Sequence, residues 1–264
     1  MTTFDSDDAY WRFARAVVCT ARYVRDAASD RFLATLLSQG AAHVELVEPG
    51  MVLWRAALGH GWMDERHEGD TFQVPTPHPP DRMRPLPDRA KEGRANPKGI
   101  PYLYLATHRD TALAEVRPWI GSSISVAQFK ALRRLRVVNC TEHSKRSRRL
   151  IGETPPELWD SNVWSDVDDA FSQPVGLSDD NADYAPTQVI AECFKSGGYD
   201  GVAYASALGQ GHNIVVFDVA AASLVGCGLY ELKRLDFGFE QSVNPYAVVQ
   251  KADRTNRRTE VHDD

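Results

Sequence analysis

The 264-residue chain has a hydrophobic share of 43%, a charged share of 25% and a formal net charge of −6. That is the composition of an ordinary soluble globular protein with enough chain for a substantial core. The negative balance argues against a dedicated binder of nucleic acid or anionic membrane, while leaving room for a local basic pocket around a small phosphorylated ligand.

No apolar run approaches the length of a membrane span, and the acidic opening MTTFDSDDAYWR is unlike a secretion signal. Four widely spaced cysteines with no CxxC pair fit a reduced cytoplasmic protein better than a disulfide scaffold. The histidines have no HxxxH-type ligand spacing, so no metal site is expected.

Residues 1–45 read as a helical extension whose stripe through Phe32, Leu33, Leu36 and Leu37 ends near Gly40. MVLWRAAL, residues 51–58, reads as a core strand interrupted by Arg55. A guanidinium there needs an anionic partner, either a buried carboxylate or a ligand, because it cannot shed its charge. Residues 59–92 turn polar and proline-rich, and read as an exposed loop or lid inserted into the main domain.

The chemistry concentrates in GRANPKGIPYLYLATHRDTALAEVR, residues 93–117. Asn96-Pro97 and Gly99-Ile100-Pro101 predict a turn, Tyr102 to Leu105 a short buried strand, and Thr107 with Asp110 the start of a helix that Pro118 closes. Arg94 falls in the turn, Tyr104 on the strand and Glu115 inside the helix. The same-face neighbours of Glu115 are Ala112 and Trp119, both able to pack inward, which draws the carboxylate toward a cleft. The competing reading is a helix-border glutamate paired with Arg117 or a lysine.

Beyond this stretch, residues 124–126 and 135–138 read as strands. The basic residues of 130–136 and of KRSRR, residues 145–149, lack the interleaved aromatics that base stacking needs, so solvated loops are expected there. The acidic segment 152–183 reads as a long connection, part of a second insert over 145–183 that packs through Trp159 and Trp164. PTQVIAECFKS, residues 186–196, has helical spacing, and residues 200–206 and 213–217 are strands. Ser206 ends the first of these before Gly209-Gln210-Gly211, a place where side chains are presented but where most serines only cap turns. No GxSxG elbow, dinucleotide fingerprint or phosphate loop is present. One more strand or hairpin is expected before residue 239, then a polar tail over 241–264.

Taken in order, Arg55, GRANPKG, YLYLAT, ALAEV, PTQVIAE, DGVAYAS and NIVVF resemble the RES domain over roughly residues 50–235. The chain departs from the family pattern at Ala95, where an aromatic is usual, and in its longer segments before Arg94 and before Tyr184. The resemblance implies an α+β fold similar to ADP-ribosyltransferases, a split mixed sheet with flanking helices over residues 46–240. It also implies an NAD-destroying toxin paired with an Xre-type antitoxin, acting by phosphorolysis or hydrolysis. Matched by motif, its site residues are Arg55, Arg94, Tyr104, Glu115 and Ser206, with Asn213 as a further substrate-binding candidate.

That assignment suits the chemistry. Cleaving the nicotinamide–ribose bond passes through an oxocarbenium-like state. Nicotinamide in NAD is already a cationic leaving group, so one carboxylate suffices, and Glu115 fits that role. Arg55 and Arg94 would grip diphosphate or inorganic phosphate, Tyr104 the pyridinium face, and Ser206 the nicotinamide or ribose. NAD is thus expected as substrate and phosphate as co-substrate, with no prosthetic group. Transfer to a protein side chain, or binding without turnover, are the rival readings; the oligomeric state, a homodimer included, is not set by any residue pattern.

Overall fold

The computed structural model describes residues 2–87, 89–141, 154–173, 181–236 and 238. The basic run 145–149, the ends of the 145–183 segment next to it and the tail 241–264 lie partly or wholly outside the described residues. In chain order the regular elements are α1 (Ala9–Cys19), α2 (Ala27–Gly40), β1 (Val44–Val47), β2 (Val52–Leu58), β3 (Gly61–His67), β4 (Asp70–Thr76), β5 (Leu103–Ala106) and α3 (Arg109–Glu115). Then come β6 (Ser123–Ala131), β7 (Leu135–Asn139), α4 (Trp159–Ser172), α5 (Ala185–Ser196), β8 (Gly201–Ala205), β9 (His212–Val216) and β10 (Ala222–Glu231).

Eight strands form one mixed sheet in the order β1-β7-β8-β9-β5-β2-β6-β10, with β7 and β8 parallel and the other neighbours antiparallel. The expected α+β class with a split mixed sheet is therefore what the chain adopts. Alternation along the strands sends side chains to two cores. On one face, Val138, Val202 and Val215 pack with Phe13, Phe32, Leu36, Trp164, Phe171 and Phe194 from α1, α2, α4 and α5. On the other, Leu53, Leu103, Phe129, Leu135 and Ile214 pack around a fully buried Met83. Helix α2 begins where the Asp26 side chain accepts from Ser29 N at 2.7 Å, satisfying a first-turn donor.

Two segments differ from their sequence reading. Residues 61–76 are a hairpin rather than a loop. Its two central residues, Glu68 and Gly69, have φ of 52° and 98°, as a two-residue turn matching strand twist requires. Glutamate is an unusual occupant there, and Trp62 and Phe72 are both exposed, so neither turn chemistry nor alternating burial marks the hairpin in the sequence. Within 152–183, Trp159–Ser172 is a helix that buries Val163, Trp164, Val167 and Phe171, a stripe of helical spacing disguised by aspartates at 160, 166, 168 and 169.

The three arginines of 130–136 are engaged by acidic and aromatic neighbours: Arg133 with Asp200 at 2.7 Å, Arg134 with Glu48 at 3.0 Å, and Arg136 over the Tyr199 ring at 5.0 Å. Residues up to Lys233 form one compact unit, to which the N-terminal helices contribute core residues. In the following unit, from Arg234 on, Arg234 pairs with Asp236 at 2.9 Å. Among the described residues no helix is long and apolar enough to cross a membrane.

Candidate active site

The sheet parts between β2 and β5, whose register is the single pair Trp54–Ala106. Strands that diverge leave backbone groups of the ladder without partners. Arg55 reaches across this split, its Nη1 donating to the Tyr104 carbonyl at 3.2 Å. Among the described residues its enclosed Nε has no hydrogen-bond partner and no carboxylate pairs with the guanidinium. Burial lowers the pKa of this guanidinium, but an arginine starts so high that it remains a cation. The expected anionic partner of Arg55 is therefore absent from the described protein, and a cavity of about 240 Å³ lies beside it, lined by Trp54, Tyr104, Glu115, Tyr204 and Asn213.

Glu115 is the last residue of α3, not an interior one. Its Oε1 accepts both from Ser206 Oγ at 2.8 Å and from Asn213 Nδ2 at 2.6 Å. Three side chains singled out from separate stretches of sequence thus meet at one oxygen. The Ser206 hydroxyl accepts in turn from Leu208 N at 3.2 Å, which aims its own proton at the glutamate. Both donors bond to Oε1, which fixes the orientation of the carboxylate, and Glu115 lines the cavity beside Arg55.

The loop after Ser206 is held against α3 by Thr111 Oγ1, which donates to the Gln210 carbonyl, and by Gly211. That glycine has φ of 76°, and a Cβ there would lie 2.2 Å from His108 Nδ1. Of the two neighbours expected to pack inward, Ala112 is buried, but Trp119 is 67% exposed. The helix ends before Pro118, so four-residue helical spacing no longer applies at Trp119.

The turn preceding β5 is built around Tyr104. Its hydroxyl donates to Asn96 Oδ1 at 2.6 Å and accepts from Ala95 N at 3.0 Å, while Asn96 Nδ2 donates to the carbonyls of Lys91, Pro97 and Ile100. Gly93 is required because a Cβ would come 2.5 Å from the Tyr104 oxygen. Burial raises the Tyr104 pKa, so it stays a neutral phenol that fixes the turn and offers its ring to the cleft.

Helix α5 clamps this turn. Thr187 Oγ1 donates to Arg94 O at 2.6 Å, and Gln188 Nε2 bonds to Glu92 Oε1 and the Gly93 carbonyl, each at 3.0 Å. Arg94 itself donates Nη1 to the Phe171 carbonyl. It lines a second cavity of about 310 Å³ rather than the one beside Arg55, and shares it with Glu115, Tyr104 and Tyr204. Reading the sequence residue by residue missed Asn96, Gln188 and Tyr204. Strand alternation held a signal for Tyr204, which lies two residues before Ser206 and opposite Asn213 in register.

Asp168 on α4 is fully buried and accepts from Ala205 N at 2.9 Å, pinning the strand end next to Ser206. Its Oδ2 has no partner among the described residues. Burial, with a smaller push from Asp169 and against the pull of the Ala205 N–H and His212, raises its pKa to about 6. The unfolded carboxyl titrates near ~3.9. Between these values the native state holds a proton that the unfolded chain has released, so this group's contribution to stability falls as pH rises through the window. Asp168→Asn should remove that slope, gaining roughly 1–3 kcal/mol on wild type between pH 4.5 and 7 by linkage. Thermal melts of both proteins at the two pH values check it, and a pH-independent difference would rule it out.

No curated protein sequence matches the chain. Among solved structures, the M. tuberculosis MbcT–MbcA toxin–antitoxin complex is similar, at 16% identity and a TM-score of 0.42, with 74% of this chain and 92% of that chain covered. The family model described as RES domain matches residues 53–236, which hold Arg55, Arg94, Tyr104, Glu115, Ser206 and Asn213. With most of its length matched, and with the motif residues that suggested the resemblance, this chain belongs to the RES domain family.

Proposed function

We propose that the protein is an NAD-degrading toxin of the cytoplasm that cleaves the nicotinamide–ribose bond by phosphorolysis, yielding nicotinamide and ADP-ribose-1″-phosphate. The observation that carries this reading is the Glu115 carboxylate, held by Ser206 and Asn213 at the boundary of two cavities, one lined by Arg55 and the other by Arg94. As the bond to nicotinamide lengthens, positive charge develops on the ribose, and an oriented carboxylate stabilises that charge more than it stabilises the substrate. The electron pair of the breaking bond discharges the pyridinium nitrogen, so the leaving group needs no proton. NAD is the substrate and the protein holds no prosthetic group. Such an enzyme harms the cell that makes it, and family membership supports a protein antitoxin of Xre type that closes the cleft.

The test is to incubate purified protein with NAD, with and without phosphate, and to identify the products. NAD should be lost, faster with phosphate, with ADP-ribose-1″-phosphate as product. Phosphate-independent release of ADP-ribose would make the enzyme a hydrolase, and ADP-ribose attached to protein would make it a transferase. Unchanged NAD would end the enzymatic reading.

A further inference from the structure

We propose that Asp168 and Thr107 are positioning residues that grip the Ala205–His212 pair from its two sides and so set Ser206 and Asn213 onto Glu115. This rests on the NAD-cleavage reading, since turnover is what such positioning changes. Ala205 and His212 are the last register partners of β8 and β9, and each is followed directly by one of the two donors to Glu115. Where a ladder ends, its outward backbone groups need other partners, and without them strand ends fray.

The first grip lies on the β7 side. Cys140 N donates to Ala203 O at 2.9 Å, so Ala203 turns its backbone groups toward β7. Ala205, two residues on, turns its N–H the same way, but β7 has ended at Asn139. The Asp168 carboxylate on α4 takes that N–H at 2.9 Å in place of a strand carbonyl. The helix is itself fixed against the site, since Phe171, one turn on, stacks on the Tyr204 ring at 5.6 Å.

The second grip lies on the β5 side. Strand β5 ends at Ala106, opposite Asn213, and Thr107 N donates to the His212 carbonyl at 3.0 Å. The Thr107 hydroxyl accepts from His212 N at 3.1 Å and donates back to the same carbonyl at 3.1 Å. One residue thus binds both backbone groups of His212. Neither Asp168 nor Thr107 lines the cavities beside Glu115, so they act on the reaction through the two donors. A small displacement of either donor would free the carboxylate to turn, and placement errors of that kind are costly in catalysis.

Asp168→Ala and Thr107→Val each remove one grip, the second with little change of shape. Each should lower kcat per folded molecule roughly tenfold or more, the scale of a misplaced catalytic contact. The KM for NAD should move less than about threefold, because the donors act on the carboxylate rather than on ground-state binding. Asp168→Asn, which keeps an acceptor in place, should recover most of the loss. In a Ser206→Ala background, Asp168→Ala should cost less than about threefold further, and so should Thr107→Val in an Asn213→Ala background, because the shared partner is already gone. Amide exchange over residues 205–213 should quicken in both single variants. A lower melting temperature with turnover per folded molecule unchanged would overturn the assignment, as would losses that multiply in the double variants. A wild-type protein that consumes no NAD defeats the reading of the reaction instead, whereas unchanged amide exchange defeats the grips, so the two failures are distinct.

Discussion

Glu115→Gln should leave the protein folded and lower turnover by about 10²–10³-fold, the usual cost of removing one preorganised electrostatic contact with the transition state. The geometry makes this substitution unusually clean. Both donors, Ser206 Oγ and Asn213 Nδ2, bond to Oε1, and the amide oxygen of glutamine can accept from both. Shape and contacts are thus preserved while the charge that meets the developing cation is lost. The loss should appear in kcat, with the KM for NAD little changed, because the carboxylate's advantage arises as the bond breaks. Glu192→Gln is the control, an exposed glutamate on α5 outside the cleft. Turnover per folded molecule, with melting checked for both, decides the matter. If the two variants are equally active, Glu115 only closes helix α3 and the case for this site fails.

How much of this site was legible in the sequence depends on whether its residues announce themselves locally. Arg55 breaks an apolar run, Glu115 follows small residues ahead of a helix-stopping proline, and Ser206 precedes a glycine loop. Each stands out without knowledge of the fold. Ordered along the chain, they also carried the family resemblance. Their meeting did not follow from spacing: Glu115 and Ser206 are brought together by β8, β9 and α3, through pairings that no local pattern encodes.

The residues that were missed act through their neighbours. Asn96 and Gln188 look like ordinary polar residues until the turn before β5 is seen wrapped around the Tyr104 hydroxyl. Helix α4 was hidden for a different reason. Its apolar stripe is interrupted by aspartates, one of which, Asp168, is itself buried and spent on the backbone of β8. The hairpin of β3 and β4 lacks a buried face, so the alternation that reveals most strands was never selected into it.

Arg55→Met should raise thermal stability while it lowers kcat/KM for NAD by about 10²-fold, a pair of opposite effects that a structural arginine cannot produce. On the stability side, the Arg55 Nε is enclosed without a hydrogen bond among the described residues, and the hydrogen bond its guanidinium does make there is to the Tyr104 carbonyl at 3.2 Å. Methionine follows the same linear path through the strand, removes the desolvated charge and loses that single bond, worth about 1 kcal/mol. Replacing buried charge with apolar side chains is often neutral or stabilising by about 1–4 kcal/mol, so the balance favours the variant. On the functional side, the same charge is what a diphosphate would pair with in a cavity where a forked donor is worth most. Removing one member of an enclosed charge pair costs roughly 2–5 kcal/mol of binding, which sets the size of the expected loss. Arg55→Lys should fall between the two, keeping the charge but not the fork. Melting curves and NAD kinetics on the three proteins separate the cases. A methionine variant that melts lower and binds NAD normally would make Arg55 a strap across the split between β2 and β5, and would remove the dinucleotide from that cavity.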